Sequence, residues 1–474
     1  MKTILLFLIV TSVAFAESYR ILSIFPFNGK SHNVMFNALV RGLSERGHQV
    51  DDITHFPLKK PPKNYKTIVN LNGTLKSVVN SFDINLVNPY LGTSFLLLLW
   101  TTGIICVNAF GAHCFMGFGH IFKVPVVAVS SSVEYSCISD FIGNFDHPAF
   151  VPNALLQDYN KTKFWDRLKN LFIHHWSSYK FKMLTENIQT DYMRKYLSPD
   201  MPNIRDVERT VALTLVNSHP VILGAKPVVP SLIEVGGLHI IDDGSKLTSE
   251  MQKWLDESVD GIVYFTFGSL VLIETFPEET LNAMYKSLSK LAPMRVLMKI
   301  VDKSKLPSGL PPNVLTFPWI PQQAVLAHKN VRAFITHSGL MGSQEALYFG
   351  VPMIGIPLFG DQVRNVATFV AKNIAVKLDV DGCLKNAQTF SKLFRDRPMS
   401  AMDTAIFWIE YVIRDGPDAL KSPALNVSWW QLALVDLNAF IFLSVILVLT
   451  LTFYLSRLIS RGCLMRLSKK IKTQ

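Results

Sequence analysis

Five cysteines in 474 residues are too few and too scattered to form a framework. Cys106, Cys114, Cys137, Cys383 and Cys463 show no paired metal spacing and no dense disulfide pattern. A zinc module and a disulfide-stapled scaffold are excluded. Also missing is an Asp-x-Asp motif at a suitable place in the second half of the chain, so no metal is expected in its chemistry. Asp, Glu, Lys and Arg are all absent between Asp83 and Lys123. That gap lets residues 91–110 pass for a membrane span. A second span, however, would leave the basic C-terminus on the luminal side, so a buried strand and helix are expected there instead.

Acids are absent from the C-terminal tail as well. Arg457, Arg461, Arg466, Lys469, Lys470 and Lys472 follow the uncharged run 437–455 with no acid among them. At about 1.5 Å per residue that run can cross a bilayer once as a helix. A basic flank after a span stays in the cytosol, which places residues 456–474 there and the body of the chain in the lumen. The tail also holds six of the +11 net charges, so the basic balance does not call for nucleic acid. Residues 1–16, with Lys2, an apolar core and Ala14-Phe15-Ala16, read as a cleaved signal. Lys470-x-Lys472 is similar to a retrieval signal for the endoplasmic reticulum, and simple positive-inside charge explains it equally well. The expected location is the endoplasmic reticulum membrane, single-pass type I. Cys463 then cannot pair with the luminal cysteines; one luminal disulfide is left open. Asn72, Asn160 and Asn426 open glycosylation sequons.

A length of 474 residues with 49% hydrophobic content suggests two domains. Residues 18–25 read as a strand entering a Gly-containing turn, and 34–46 have helical spacing that stops at Gly47. Further buried strands are expected at 125–130 and 211–216. Strand-helix alternation restarts at 261–267, so a linker is expected at 224–231. The expected domains are 17–230 and 231–436, both Rossmann-like α/β units.

The segment 319–362 carries the chemistry. Residues 331–336 form a strand that stops at His337-Ser338-Gly339, a helix follows from Gly342 to Phe349, and Gly350 takes the left-handed cap. Residues 351–357 return as a short strand. The N-terminus of that helix is an anion site, with free backbone amides and the positive dipole end; His337 and Ser343 add side-chain donors. Glu345, on the first turn, can meet two ribose hydroxyls, Trp319 can stack on a base, and Gln322 can donate and accept together. Asp361 and Gln362 follow the second strand, in reach of sugar hydroxyls.

Trp319-x-x-Gln322, Thr336-His337-Ser338-Gly339, Glu345, Gly350-Val351-Pro352 and Asp361-Gln362, in this order, resemble the signature of the UDP-glycosyltransferase family. The wording is closest to arthropod membrane-bound members. The resemblance implies the glycosyltransferase B fold, two facing Rossmann-like domains, here with one C-terminal transmembrane helix. It implies a UDP-sugar donor, uracil on Trp319, ribose on Gln322 and Glu345, diphosphate on Ser269 and His337 beside Gly339, and the sugar on Asp361 and Gln362. No cofactor is implied beyond UDP-glucose as co-substrate. The block from Phe25 to His32 resembles the one that carries the family's catalytic histidine, and a histidine of ordinary pKa near 6.5 suits a general base. The family usually orients this histidine with an acid; the matching position here is Asn108, whose amide oxygen can fix the tautomer but supplies no charge. Attack opposite the leaving group would invert the anomeric centre. Met341, where many relatives place asparagine, leans toward UDP-glucose over UDP-glucuronate.

The expected function is therefore transfer of a hexose, glucose first, to hydroxyls of small lipophilic acceptors in a detoxification role. The rival expectation is a catalytically impaired relative that keeps the donor site and acts by association. Homo- or hetero-oligomers are open in either case.

Overall fold

The structure is a computed structural model; it describes residues 18–74, 104–109, 113–144, 146–156, 159–241, 246–358, 361–375 and 380–471. The expected signal at 1–16 lies outside the described residues.

Seven parallel strands make the first sheet, in the order β3-β2-β1-β4-β5-β6-β7. They are β1 (Arg20–Phe25), β2 (Gln49–Thr54), β3 (Tyr65–Asn70), β4 (Ile104–Asn108), β5 (Val126–Ser130), β6 (Val211–Val216) and β7 (Leu232–Glu234). Every residue of β4, β5 and β6 is buried, as expected where helices cover both faces of a parallel sheet. Of the uncharged gap, Ile104–Asn108 sits between β1 and β5 in the centre of this sheet, not in a lipid span; residues 91–103 lie outside the described residues.

The second sheet has five parallel strands in the order β10-β9-β8-β11-β12: β8 (Ile262–Thr266), β9 (Arg295–Lys299), β10 (Val314–Phe317), β11 (Val331–Thr336) and β12 (Met353–Gly355). Both sheets reverse direction of growth beside their first strand, between β1 and β4 and between β8 and β11. Crevices at the carboxyl ends of such strand pairs are where open α/β sheets take ligands.

Two boundaries differ from those read in the sequence. Leu232–Glu234 pairs with β6, and Leu232 is buried in the first half's core, so the first sheet extends to Glu234, past the boundary expected at 230. The second concerns helix Ala401–Asp415, which belongs to the expected second domain by sequence. Its buried face, Ala405, Ile406, Ile409 and Val412, joins the core cluster of Ile21, Phe36 and Leu39 in the first half. Close approach is possible because Gly42, on helix α1 (Lys30–Glu45), presents no side chain to Met402. The chain thus returns to its first half after building the second.

Cys106, Cys114 and Cys137 are free thiols. All three sequon asparagines are exposed. Residues 423–474 form a separate unit, dominated by the helix Val435–Ile471. Its stretch Val435–Ser460 has a mean hydropathy of 2.3 and is unburied, long and apolar enough to cross a membrane.

Candidate functional site

The chain leaves β1 at Phe25 and enters α1 through an N-cap at Gly29, which puts His32 in the first turn of the helix, over the carboxyl end of β1. The ring stands edge-on to Phe27, 4.8 Å between centroids. Burial pushes its pKa down to about 4, since desolvation disfavours the charged ring. Its Nδ1 lies 2.6 Å from Ser131 Oγ. Sequence reasoning put Asn108 in that role. Asn108 is instead buried at the end of β4 and in register with Val129, while the chain beyond β5 carries Ser131 onto the ring.

Facing it, β8 runs into Gly268 at φ +77°, a left-handed turn that glycine adopts at no cost. A side chain would not fit: a Cβ there would stand 2.7 Å from His337 Cε1. β11 ends at Thr336, and His337, Ser338 and the N-cap Gly339 lead into helix α2 (Leu340–Phe349). Because Gly339 is already the cap, the helix starts two residues before Gly342. Ser343 is then in the first turn and Glu345 in the second, one turn later than the sequence suggested. Gly350 caps the far end at φ +72°, as read.

Four polar atoms at this place, Ser269 Oγ, His337 Nδ1, Ser338 Oγ and Ser343 Oγ, are buried and meet no partner among the described residues. Leaving a buried group unsatisfied costs about 1–3 kcal/mol, and such groups are few in folded proteins. Four together beside the first-turn amides of α2 make a donor set for an anion. Burial, then the nearby Lys299, pushes the His337 pKa to about 4. Lys299, at the end of β9, donates to the Gly268 carbonyl at 2.9 Å; burial lowers its pKa to about 8, against the pull of Glu274.

The remaining residues form a second cluster. Trp319 is 45% exposed, with Lys30 Nζ 3.4 Å from its ring centroid and Lys299 Nζ at 5.7 Å. The Glu345 carboxylate accepts from Gln322 Nε2 and from Gln323 Nε2 at 3.3 Å, and His239 Nε2 lies 3.5 Å from its Oε1. Tyr264 donates its hydroxyl to Gln322 Oε1 at 3.3 Å. Asp361 is pushed toward the neutral acid by burial, opposed by the hydrogen bond from Asn365 Nδ2 at 2.8 Å. Gln362 Oε1 accepts from the Leu358 amide at 2.8 Å, which turns its amide group.

A cleft of ≈ 260 Å³ joins both clusters to His32. His32, Ser269, Trp319, Gln322, His337, Gly339, Glu345, Asp361 and Gln362 line it; Asn108 and Ser343 do not. Lys30, Ser131, His239 and Lys299 also line it, and sequence reasoning missed all four. Lys30 sits two residues before His32, and Lys299 closes the apolar run Val296–Met298 of β9; both signals were present in the sequence. Among the described residues no group of His, Cys, Asp or Glu could hold a metal ion.

Comparison with known proteins identifies the family. Residues 102–471 match the family described as UDP-glucoronosyl and UDP-glucosyl transferase. The chain belongs to that family. It is similar to UDP-glucosyltransferase 2 of Dactylopius coccus, with 33% identity over 466 residues and 89% of each chain covered. It is also similar to UDP-glucuronosyltransferase 2C1 of Oryctolagus cuniculus, with 31% identity over 362 residues, 71% of this chain and 70% of that one. A solved UDP-glucosyltransferase from Polygonum tinctorium shares the fold at a TM-score of 0.54 and 16% identity, over 85% of this chain and 100% of that one. As a UDP-glycosyltransferase, the protein has the glycosyltransferase B architecture and transfers a sugar from a UDP-sugar donor.

Proposed function

We propose that this UDP-glycosyltransferase transfers glucose from UDP-glucose to a hydroxyl of small lipophilic molecules, with inversion at the anomeric carbon. The observation that carries the proposal is the set of four buried polar atoms that meet no partner among the described residues at the start of α2 and the turn facing it; two of them, on Ser269 and His337, line the cleft that His32 enters from the other half. In this reading His337, Ser269, Ser343 and the α2 amides hold the diphosphate, and no metal is needed. Glu345, already oriented by Gln322 and Gln323, takes the ribose hydroxyls; Trp319 takes the uracil once Lys30 leaves its face. Asp361 and Gln362 take the hexose.

His32 is the base. With its proton on Nδ1, donated to Ser131 Oγ, the Nε2 lone pair accepts the proton of the acceptor hydroxyl. The acceptor oxygen attacks C1 as the C1–O bond to the diphosphate breaks, and the electron pair leaves with UDP. An α-linked donor then gives a β-glycoside. We place this chemistry in the lumen of the endoplasmic reticulum, with the basic tail in the cytosol.

A second reading has one observation in its favour. Among the described residues no Asp or Glu is hydrogen-bonded to the His32 ring; with no charge to stabilise the imidazolium as it forms, the protein would hold UDP-glucose without turnover. Membranes carrying the protein, given labelled UDP-glucose or UDP-glucuronate and a panel of phenols, test both. A β-glucoside supports the proposal, a glucuronide overturns the donor, and bound UDP-glucose without conjugate supports the second reading.

A further inference from the structure

Lys30 is a cation in a place that disfavours one. It is the first residue of α1, whose opening turn holds no acid, so its charge stands at the positive end of the helix dipole. Lys59 acts on it as well: burial first, and then that neighbour, lower its pKa. Across the cleft Lys299 is a third positive charge, close enough to be affected by Lys30. Among the described residues no carboxylate pairs with Lys30. Its ammonium lies instead on the ring of Trp319, 3.4 Å from the centroid. An aromatic face attracts the charge only weakly where the ring is half-exposed, and it supplies no oxygen to the three N–H donors.

The ring and the anion site are neighbours. Lys299 Nζ stands 5.7 Å from the Trp319 centroid and donates to the Gly268 carbonyl at 2.9 Å. Gly268 in turn precedes Ser269 and lies against His337. Lys30 lines the same cleft as Trp319, Ser269 and His337, so rotation about its side-chain bonds carries the ammonium from the ring toward the diphosphate. We propose that Lys30 exchanges partners as the donor enters: it leaves the Trp319 ring to the base and takes the diphosphate from the first half of the chain. Hydrogen bonds from a cation to phosphate are among the strong ones, and each outweighs contact with an aromatic face. A ligand with phosphate therefore gains by the exchange, whereas a bare nucleoside displaces Lys30 and gives it nothing in return. Lys30 thus selects nucleoside diphosphates over nucleosides.

The inference rests on the reading in which Trp319 takes the uracil and the turn before α2 the diphosphate. It is tested by titrating the full chain with uridine and with UDP, in the wild type and in Lys30→Ala, Lys30→Arg and Trp319→Ala. Lys30→Ala should bind uridine about two- to five-fold more tightly, because nothing has to be displaced from the ring. The ratio of UDP to uridine affinity should fall by about ten-fold or more, the worth of a hydrogen bond to a charged group. Lys30→Arg should keep that ratio at or above the wild-type value, since a guanidinium serves both aromatic faces and phosphates. An unchanged ratio in Lys30→Ala overturns the proposal whichever way the two affinities move, and so does a lowered ratio without tighter uridine. Trp319→Ala separates this failure from that of the underlying reading. It should weaken uridine by about five-fold or more, the worth of one stacked base. If it does so while Lys30→Ala changes nothing, the exchange alone fails; if uridine is indifferent to Trp319→Ala, the donor-site reading fails with it.

Discussion

Ser131 Oγ lies 2.6 Å from His32 Nδ1, and it is the hydroxyl of one strand end that meets the histidine over another. A serine can fix the tautomer of the ring, yet it brings no charge to stabilise the protonated form. The low pKa of His32, about 4, is the consequence of burial with no opposing charge beside it.

Replacing Ser131 therefore separates orientation from charge. Ser131→Ala should lower kcat/KM by roughly ten-fold, the value of about one hydrogen bond, with the acid limb of the pH profile unmoved. Ser131→Asp should move that limb from near pH 4 toward 6.5 or above, because a carboxylate favours the charged ring. Steady-state rates from pH 4 to 8 read both effects. An unmoved limb in the Asp variant would show that His32 does not titrate in the reaction.

The same depressed pKa values set a stability window. His32, His219 and His337 are each pushed to about 4 by burial, against about 6.5 unfolded. As the pH falls from 6.5 to 4 the unfolded chain takes up protons that the folded chain refuses, so stability declines across that interval. Asp52, raised to about 6, works in the opposite sense between 6 and about 4 and offsets part of it. Denaturant midpoints of unit 18–422 within the full chain should fall on acidification below 6.5, and His219→Phe, outside the cleft, should flatten the decline.

The unpartnered hydroxyls predict opposite changes in stability and binding. Ser343→Ala and Ser269→Ala remove buried groups that have no partner among the described residues, which should leave thermal stability unchanged or raise it. UDP affinity should fall by about five- to ten-fold for each, the loss of one charge-assisted hydrogen bond. Calorimetric titration with UDP and a thermal scan on the same samples check the two signs. Gly268→Ala should be worse on both counts, since it combines a left-handed backbone with collision against His337.

Much of this site was legible in the sequence, for a physical reason. The stretch from Val331 to Gly350 is one strand, one turn and one helix, and each is marked by local chemistry: β-branched residues, His337-Ser338-Gly339 and a terminal glycine. Ligand groups within such a unit keep their spacing when folded. The partner of His32 was not legible, because Ser131 is 99 residues away and reaches the ring only through the pairing of β1, β4 and β5. The family resemblance pointed to Asn108, one strand short. Lys30 over Trp319 was hidden for the same reason, as it joins the two halves across the cleft. Helix Ala401–Asp415 was assigned by order along the chain, whereas its apolar face obeys the nearest core.

That return of the chain makes a stability prediction of its own. Ile409 is fully buried against the first half, so Ile409→Ala should destabilise by about 2–5 kcal/mol through lost burial and a cavity. A urea midpoint shift accompanied by loss of first-half signals in hydrogen exchange would locate the effect. If only second-half amides lose protection, the helix does not hold the two halves together as described.

The most direct test of the account compares His32→Ala with the wild type in two measurements on one membrane preparation: UDP-glucose affinity, and transfer of labelled glucose to a phenol. The account predicts unchanged affinity and transfer reduced by about 10²–10⁴-fold, the range of a general base. Transfer undiminished by the substitution would contradict it.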